Sequence, residues 1–255
     1  MKHIPRKRFG QNFLTDQGVI QAIVRAIHPQ PDDVMVEIGP GLGALTDPLL
    51  KILPRLHVVE IDRDIIARLQ NNYPAAKLTI HPGDALKFDF STLGERIRVI
   101  GNLPYNISTP ILFHLSEYVG NIIDMHFMLQ KEVVERMVAA PSTPEYGRLS
   151  VMLQYRYAME LMFIVPPDAF HPAPKVESAI VRMIPYAVLP HPAKDEALFG
   201  AIVTAAFGQR RKVLRNTLKA YLDDAGFAAL GIDPGLRAEN LGFEKFVAIA
   251  NYCAG

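Results

Sequence analysis

Val34-Met35-Val36-Glu37-Ile38-Gly39-Pro40-Gly41-Leu42-Gly43 is a run of strand formers that stops at alternating glycines. A short apolar run bounded by glycine and proline reads as a buried strand ending in a tight turn. The apolar residues that resume over residues 44–53 predict a helix after it. The pattern then repeats. A strand over 56–61 ends at Glu60-Ile61-Asp62 and precedes a helix over 65–71. A third strand, 78–81, ends at Gly83-Asp84-Ala85, and a fourth, 97–100, ends at Gly101-Asn102-Leu103-Pro104-Tyr105. A helix over 110–118, a strand over 123–129 and a helix over 132–139 continue the alternation. Strands alternating with helices imply right-handed crossovers and a doubly wound, parallel sheet.

Upstream, Asp16 is placed to cap an amphipathic helix carrying Val19, Ile20, Ile23, Val24 and Ile27. Downstream, residues 147–155 predict a helix. Strands over 161–165 and 179–184 flank the proline-rich loop 166–175 and close the sheet as a hairpin. The fold class expected is therefore α/β: a Rossmann-like, mostly parallel, seven-stranded sheet. Pro185, Pro190 and Pro192 break the pattern, so residues 1–188 are expected to form the α/β domain. Residues 189–255 then form a small all-α domain, helical from Lys194 through Leu222 and again over 243–252.

Composition narrows the function classes. The 255 residues are 49% hydrophobic with net charge +1, enough apolar material for a large core and no overall field that announces a polyanionic partner. The charge is local instead. Lys2, Arg6, Lys7 and Arg8 open the chain with no acid before Asp16. Arg210, Arg211, Lys212, Arg215 and Lys219 form a second group. Such groups suit phosphate, although a run of charge also serves as a solvated face. Cys253 is the single cysteine, so no internal disulfide framework exists and a cytosolic, reducing compartment is expected. No apolar run reaches transmembrane length, and the stretch after the basic arm is too polar for a signal peptide. The histidines show no ligand spacing, so no metal is expected.

In open α/β sheets, ligands sit beyond the carboxyl ends of the strands. Four successive strand ends here carry glycine or polar signatures, which makes chance a poor explanation. Gly39 and Gly41 allow close backbone approach. Glu60 stands about twenty residues on, where an acid accepts both hydroxyls of a ribose. Asp84 can accept from an adenine amino group. The glycine spacing departs from the Gly-x-Gly-x-x-Gly of dinucleotide sites, which points away from a nicotinamide cofactor and toward a smaller adenosine-bearing one. At the fourth end, Pro104 fixes its own φ and biases Leu103 to extended backbone. That corner would aim the Asn102 amide and the Leu103 carbonyl the same way, with the Tyr105 ring beside them. Two aligned acceptors suit an exocyclic –NH₂ group, and an aromatic face suits a base. The same five residues, taken alone, also fit a plain strand-to-helix turn.

Glu37-Ile38-Gly39-Pro40-Gly41, Glu60, Gly83-Asp84 and Asn102-Leu103-Pro104-Tyr105 together resemble the motif series of S-adenosylmethionine-dependent RNA adenine-N6 methyltransferases. The resemblance runs nearly end to end. The stretch from Arg6 to Leu14 is similar to that family's N-terminal signature. The stretch from Ala169 through Pro172 and Lys175 to Ser178 is similar to its substrate-side loop. Gln209-Arg210-Arg211-Lys212, Gly231-Ile232-Asp233-Pro234 and Arg237-Ala238-Glu239-Asn240 resemble the branch that dimethylates small-subunit ribosomal RNA. This resemblance implies dimethylation of the N6 amines of two adjacent adenosines near the 3′ end of 16S rRNA, within the 30S subunit. A part in subunit maturation is implied with it.

It also implies roles. Asn12, Leu14, Gly39, Gly41, Glu60, Asp84 and Asn102 would line the S-adenosyl-L-methionine site. Asn102, Leu103, Pro104 and Tyr105 would hold the target adenine, with Phe170 stacked on its other side. Arg6, Lys7, Arg8, Arg210, Arg211, Lys212 and Arg215 would contact RNA. A monomer is expected. Two other readings stand beside this one: a non-catalytic RNA-binding assembly factor on a methyltransferase fold, and a methyltransferase acting on 23S rRNA, which the C-terminal signature disfavours.

Overall fold

The computed structural model describes residues 12–104 and 107–255. The first half contains β1 (Phe13–Leu14), α1 (Gln17–Ile27), β2 (Val34–Ile38), α2 (Thr46–Leu49), β3 (Leu56–Glu60), α3 (Arg63–Asn72) and β4 (Leu78–Pro82). Then come β5 (Ile97–Asn102), α4 (Ser108–Leu115), β6 (Ile122–Gln130), α5 (Lys131–Val138), α6 (Arg148–Gln154), β7 (Tyr157–Val165), β8 (Phe170–His171) and β9 (Ser178–Pro185). The chain ends with α7 (Glu196–Phe207), α8 (Leu214–Thr217), α9 (Asp224–Ala229) and α10 (Phe243–Cys253). Among the described residues no helix is long and apolar enough to cross a membrane.

Seven strands form one sheet in the order β4-β3-β2-β5-β6-β9-β7. The pairs β3–β4, β2–β3, β2–β5 and β5–β6 are parallel, and β9 runs antiparallel to β6. The mostly parallel, seven-stranded sheet read from the sequence is the one formed. Because the chain winds outward from β2 to β4 and then returns to β5 on the other side, the order reverses between β2 and β5. That reversal opens a crevice at their carboxyl ends, where doubly wound sheets bind ligands.

The central strands are apolar along their whole length because helices cover both faces of a parallel sheet. Of their buried exceptions, the His126 ring nitrogens on β6 find no hydrogen-bond partner among the described residues, whereas Arg98 and Asp124 are paired. The Arg98 guanidinium on β5 makes a fork to Asp124 on β6 (2.8 Å to each oxygen) and reaches Asp33 at 2.6 Å. It also donates to the Ile27 carbonyl at 2.6 Å, satisfying the last turn of α1. At the other end of α1, Asp16 accepts from the Val19 amide at 2.8 Å, the predicted cap. Ile20, Ile23, Val24 and Ile27 are its buried face. Each such aliphatic side chain contributes about 1.5–3 kcal/mol by leaving water.

Three local expectations change. The helix expected over 44–53 is helical only at α2 (Thr46–Leu49). Pro48 removes the amide that would bond the Ala44 carbonyl, and Pro54 disfavours helix at Leu53. The strand expected over 161–165 extends back to Tyr157. Helix does not run on to Leu222 either: the 213–214 backbone pairs with 236–237, through a Val213–Arg237 bridge and a 2.8 Å bond from the Leu214 amide to the Leu236 carbonyl.

Contacts divide the chain into two units. One takes residues up to Val134 together with Glu160–Pro185; the other takes Glu135–Met159 and Tyr186–Gly255. The boundary expected at 188–189 falls close to the second junction, but residues 135–159 group with the C-terminal helices. Tyr146, Val151 and Tyr155 are the reason, since they share a buried cluster with Phe199, Val203, Leu214, Phe227 and Phe246.

Candidate active site

At the crevice beyond β2 and β5 lies a cavity of about 360 Å³, within the range of small-ligand sites. Its walls come from the turns after β2, β3, β4 and β5, and from a short ribbon the sequence did not announce. In that ribbon β1 pairs antiparallel with β8, Leu14 opposite Phe170. This carries Asn12, Phe13 and Leu14 to the cavity from one side and Phe170 from the other.

Gly39, Gly41 and Gly43 all have positive φ (66°, 55° and 94°), backbone that L side chains rarely adopt. They divide the work. Gly39 and Gly41 line the cavity, and a Cβ on Gly39 would meet nothing within 4 Å. A Cβ on Gly43 would instead lie 2.5 Å from the Tyr73 hydroxyl, which donates to Asp47 at 2.6 Å. The third glycine therefore serves packing; a Cβ on Gly41 would press on the Phe13 ring at 3.2 Å, and only Gly39 faces open space.

Glu60 ends β3 with its side chain turned back on its own turn. One carboxylate oxygen accepts from the Ile61 and Asp62 amides at 2.8 Å each, and the Gly41 amide stands near enough to act on the carboxylate. Burial raises its pKa, and those three N–H groups oppose the rise. Asp84, after β4, uses one oxygen to accept from the Leu86 amide at 3.0 Å and borders the same cavity.

Asn102 closes β5 opposite Met128 of β6. Its side-chain –NH₂ donates to the Asn12 carbonyl at 3.2 Å. A carbonyl can only accept, so this bond fixes the amide's orientation and turns its oxygen the other way. Leu103 continues the ladder, its amide donating to the Met128 carbonyl at 3.2 Å, and both Leu103 and Pro104 line the cavity. Phe170 is buried and lines it as well.

Every cavity residue expected from the sequence and described here is thus in one place: Asn12, Leu14, Gly39, Gly41, Glu60, Asp84, Asn102, Leu103, Pro104 and Phe170. Tyr105, Arg6, Lys7 and Arg8 lie outside the described residues. Arg210, Arg211, Lys212 and Arg215 belong to the second unit and are exposed. Arg210, Arg211 and Lys212 sit on a turn, and two cations of the group meet acids outside it: Arg210 with Glu239 at 3.6 Å, Arg215 with Asp224 at 3.1 Å.

Sequence reasoning missed several wall residues, Ala85 and Leu86 among them, and two of the missed ones carried a readable signal. Ile61 borders the cavity yet stays 51% exposed, an apolar surface left uncovered. The signal was an isoleucine directly after a strand-end acid. Glu37, 2% exposed, is the other. It accepts from the Thr46 hydroxyl at 2.6 Å. Burial pushes its carboxyl from 4.5 up to about 7; the Thr46 bond opposes this, while Glu60 and Asp47 add to it. Its signal was an acid inside an otherwise apolar strand.

The chain can be set beside known proteins. It is 71% identical over 254 residues to ribosomal RNA small subunit methyltransferase A of Methylobacillus flagellatus, covering all of both chains. Among solved structures, a dimethyladenosine transferase from Plasmodium falciparum matches with TM-score 0.77 and 25% identity, over 93% of this chain and 95% of that one. The 23S rRNA methyltransferase ErmE matches with TM-score 0.75 over 96% of this chain and all of that one, and at 23% identity this is a likeness of fold alone. The ribosomal RNA adenine dimethylase model matches residues 2–255, nearly the whole sequence that builds this crevice, and the chain belongs to that family.

Proposed function

We propose that the protein transfers methyl groups from S-adenosyl-L-methionine to the N6 amines of two adjacent adenines of small-subunit (16S) ribosomal RNA, carrying each to the dimethyl state. The observation that carries the reading is the convergence of Glu60, Asp84 and the Asn102-Leu103-Pro104 corner on one cavity at the β2/β5 reversal. The small-subunit substrate follows the 71% identical relative.

The wall fits the cofactor's chemistry part by part. Glu60, pinned through one oxygen, keeps acceptor capacity for a pair of ribose hydroxyls. Asp84 can receive an adenine amino group, while Ile61, Ala85 and Leu86 offer apolar surface to the ring. When bound, the cofactor supplies an already activated methyl on sulfur, so neither a metal nor a covalent enzyme intermediate is called for.

The chain's own residues then act on the target base. The lone pair of an adenine amine is delocalised into the ring. Accepting its hydrogens at the Asn102 side-chain oxygen and the Leu103 carbonyl favours a pyramidal nitrogen and aims the lone pair. This is catalysis by orientation and electrostatics. Pro104 stiffens the corner, and Tyr105 and Phe170 are the rings between which the base would stack. A stacked, paired base cannot enter, so the target must be unpaired or flipped. The second unit would hold the RNA, with Arg210, Arg211 and Lys212 on phosphate and Arg215 beside them; Arg6, Lys7 and Arg8 would assist. A monomer in the cytoplasm suffices for this chemistry.

The test is to incubate the protein and methyl-labelled cofactor separately with each ribosomal subunit and map the label. Label confined to adenines near the 3′ end of the small-subunit RNA is expected. Label on the large subunit, or on neither, would overturn the reading.

A further inference from the structure

Glu37 is the one buried acid of the cavity to which the reaction assigns nothing. It sits within β2 and borders the cavity, with one carboxyl oxygen accepting from the Thr46 hydroxyl at 2.6 Å. The charged groups acting on it are both acids: Glu60 from the end of β3 and Asp47 from α2. The remaining titratable neighbour is the Tyr73 phenol, which donates to Asp47 and whose own pKa is raised, mainly by burial. None of these is a cation. An ionised carboxylate at this point is opposed by desolvation and by two like charges, so the empty cavity favours the neutral acid. Its pKa of about 7 agrees with that geometry. The cofactor of the proposed reaction brings what the wall lacks, since it carries a sulfonium and an α-ammonium.

We propose that Glu37 couples cofactor binding to proton release, the carboxyl being protonated in the empty cavity and ionised when the cationic cofactor fills it. The inference rests on the cofactor reading of this site. The balance is simple: the Glu37 O–H bond breaks, its electron pair stays on the carboxylate, and the proton leaves to solvent. Thr46 donates to the carboxyl in both states. The sign follows from linkage. Below pH 7 the empty protein holds a proton that binding must expel, so cofactor affinity rises with pH and levels off above it. With a carboxyl near 7 in the empty protein and ionised in the complex, the rise from pH 6 to pH 8 is about tenfold.

Isothermal calorimetry with S-adenosylmethionine at pH 6, 7 and 8, in two buffers of different ionisation enthalpy, counts the protons released. The cofactor's own α-amino group titrates nearby, so the readout is the difference between the native protein and Glu37→Gln. That variant keeps an acceptor for Thr46 and has no proton to give. At pH 7 the native protein is expected to release about half a proton more than the variant. The ratio of their affinities should grow about tenfold from pH 6 to pH 8. Equal proton counts and a constant ratio overturn the inference while leaving the cofactor reading intact; failure of the native protein to bind at any pH overturns both. Should Glu37→Gln not fold, carboxyl NMR of ¹³C-glutamate-labelled protein serves, repeated on Glu60→Gln to set that carboxyl aside. One glutamate titrating near neutrality when empty, and ionised at pH 6 in the complex, is expected. Finding only carboxyls that titrate in the ordinary range refutes it.

Discussion

Replacing Glu60 by Ala separates two jobs of one carboxylate. In the structure one oxygen already holds the Ile61 and Asp62 amides at 2.8 Å, and the carboxylate borders the cavity where ribose hydroxyls are proposed to bind. Truncation removes hydrogen bonds to a charged acceptor, each worth about 1.5–3 kcal/mol, but it also relieves the desolvation of a buried charge. For folding these oppose each other, and the freed amides border a cavity that water can enter. A net loss of about 1–2 kcal/mol is expected, a few degrees in Tm. For the cofactor nothing offsets the loss, and affinity should fall by about 1–3 kcal/mol, roughly 5- to 150-fold. Glu60→Gln sharpens the comparison, because its amide oxygen can still accept from both backbone N–H groups. Its Tm should stay close to native while its affinity for S-adenosylmethionine drops. Calorimetric titration beside thermal unfolding measures both. A Glu60→Ala protein that is folded and binds the cofactor with native affinity would remove Glu60 from the site and break the assignment of the β3 end.

Asn102→Ala should cut methyl transfer by orders of magnitude in single-turnover assays while RNA affinity stays near native, because its oxygen is the proposed acceptor for the reacting amine; near-normal turnover would refute this. Some cofactor affinity will be lost too, since the Asn102–Asn12 bond anchors the strand that walls the cavity. Replacing Arg210, Arg211 and Lys212 together by Ala should flatten the dependence of log K on log salt by roughly 0.7 per lost single-strand phosphate contact, and an unchanged slope would return them to a solvated surface. Glu37 also makes a stability prediction. Its folded pKa lies above the unfolded one, so its contribution is fully present below pH 4.5 and is lost as pH rises through about 7. Relative to Glu37→Gln, the native protein should lose up to about 3 kcal/mol of stability across that window, and parallel curves would contradict it.

How far the sequence spoke for itself varies with the range of the interactions involved. The β2, β3 and β5 runs are apolar on both faces and end in glycine or polar residues, a local pattern that only a covered parallel sheet explains. Their strand-end residues followed from that pattern, and so did most of the cavity. What stayed hidden depended on distant pairing. The β1–β8 ribbon joins Leu14 to Phe170 through two-residue strands too short to show any periodicity. The assignment of residues 135–159 to the second unit rests on Tyr146, Val151 and Tyr155 finding partners more than forty residues away. Arg210 and Arg215 pair with Glu239 and Asp224, acids that stand outside the 210–219 run of cations. Glu37 opens the glycine motif in sequence, but only its burial among acids reveals a chemical state.

In the proposed reaction the Asn102–Leu103 corner presents an adenine N6 amine for methylation twice over. After the first transfer the amine has one hydrogen left, so one of the two acceptors goes unmet, at a cost of about 0.5–1.5 kcal/mol. The cavity must also receive the new methyl; Phe170 lines it, whereas 172–174, beyond β8, are not among the described residues that do. A time course on small ribosomal subunits with excess S-adenosylmethionine, read by mass spectrometry of digested RNA, tests this directly. Monomethyladenine that rises and then gives way to dimethyladenine at adjacent positions is predicted. A reaction that stops at monomethyladenine would contradict the account.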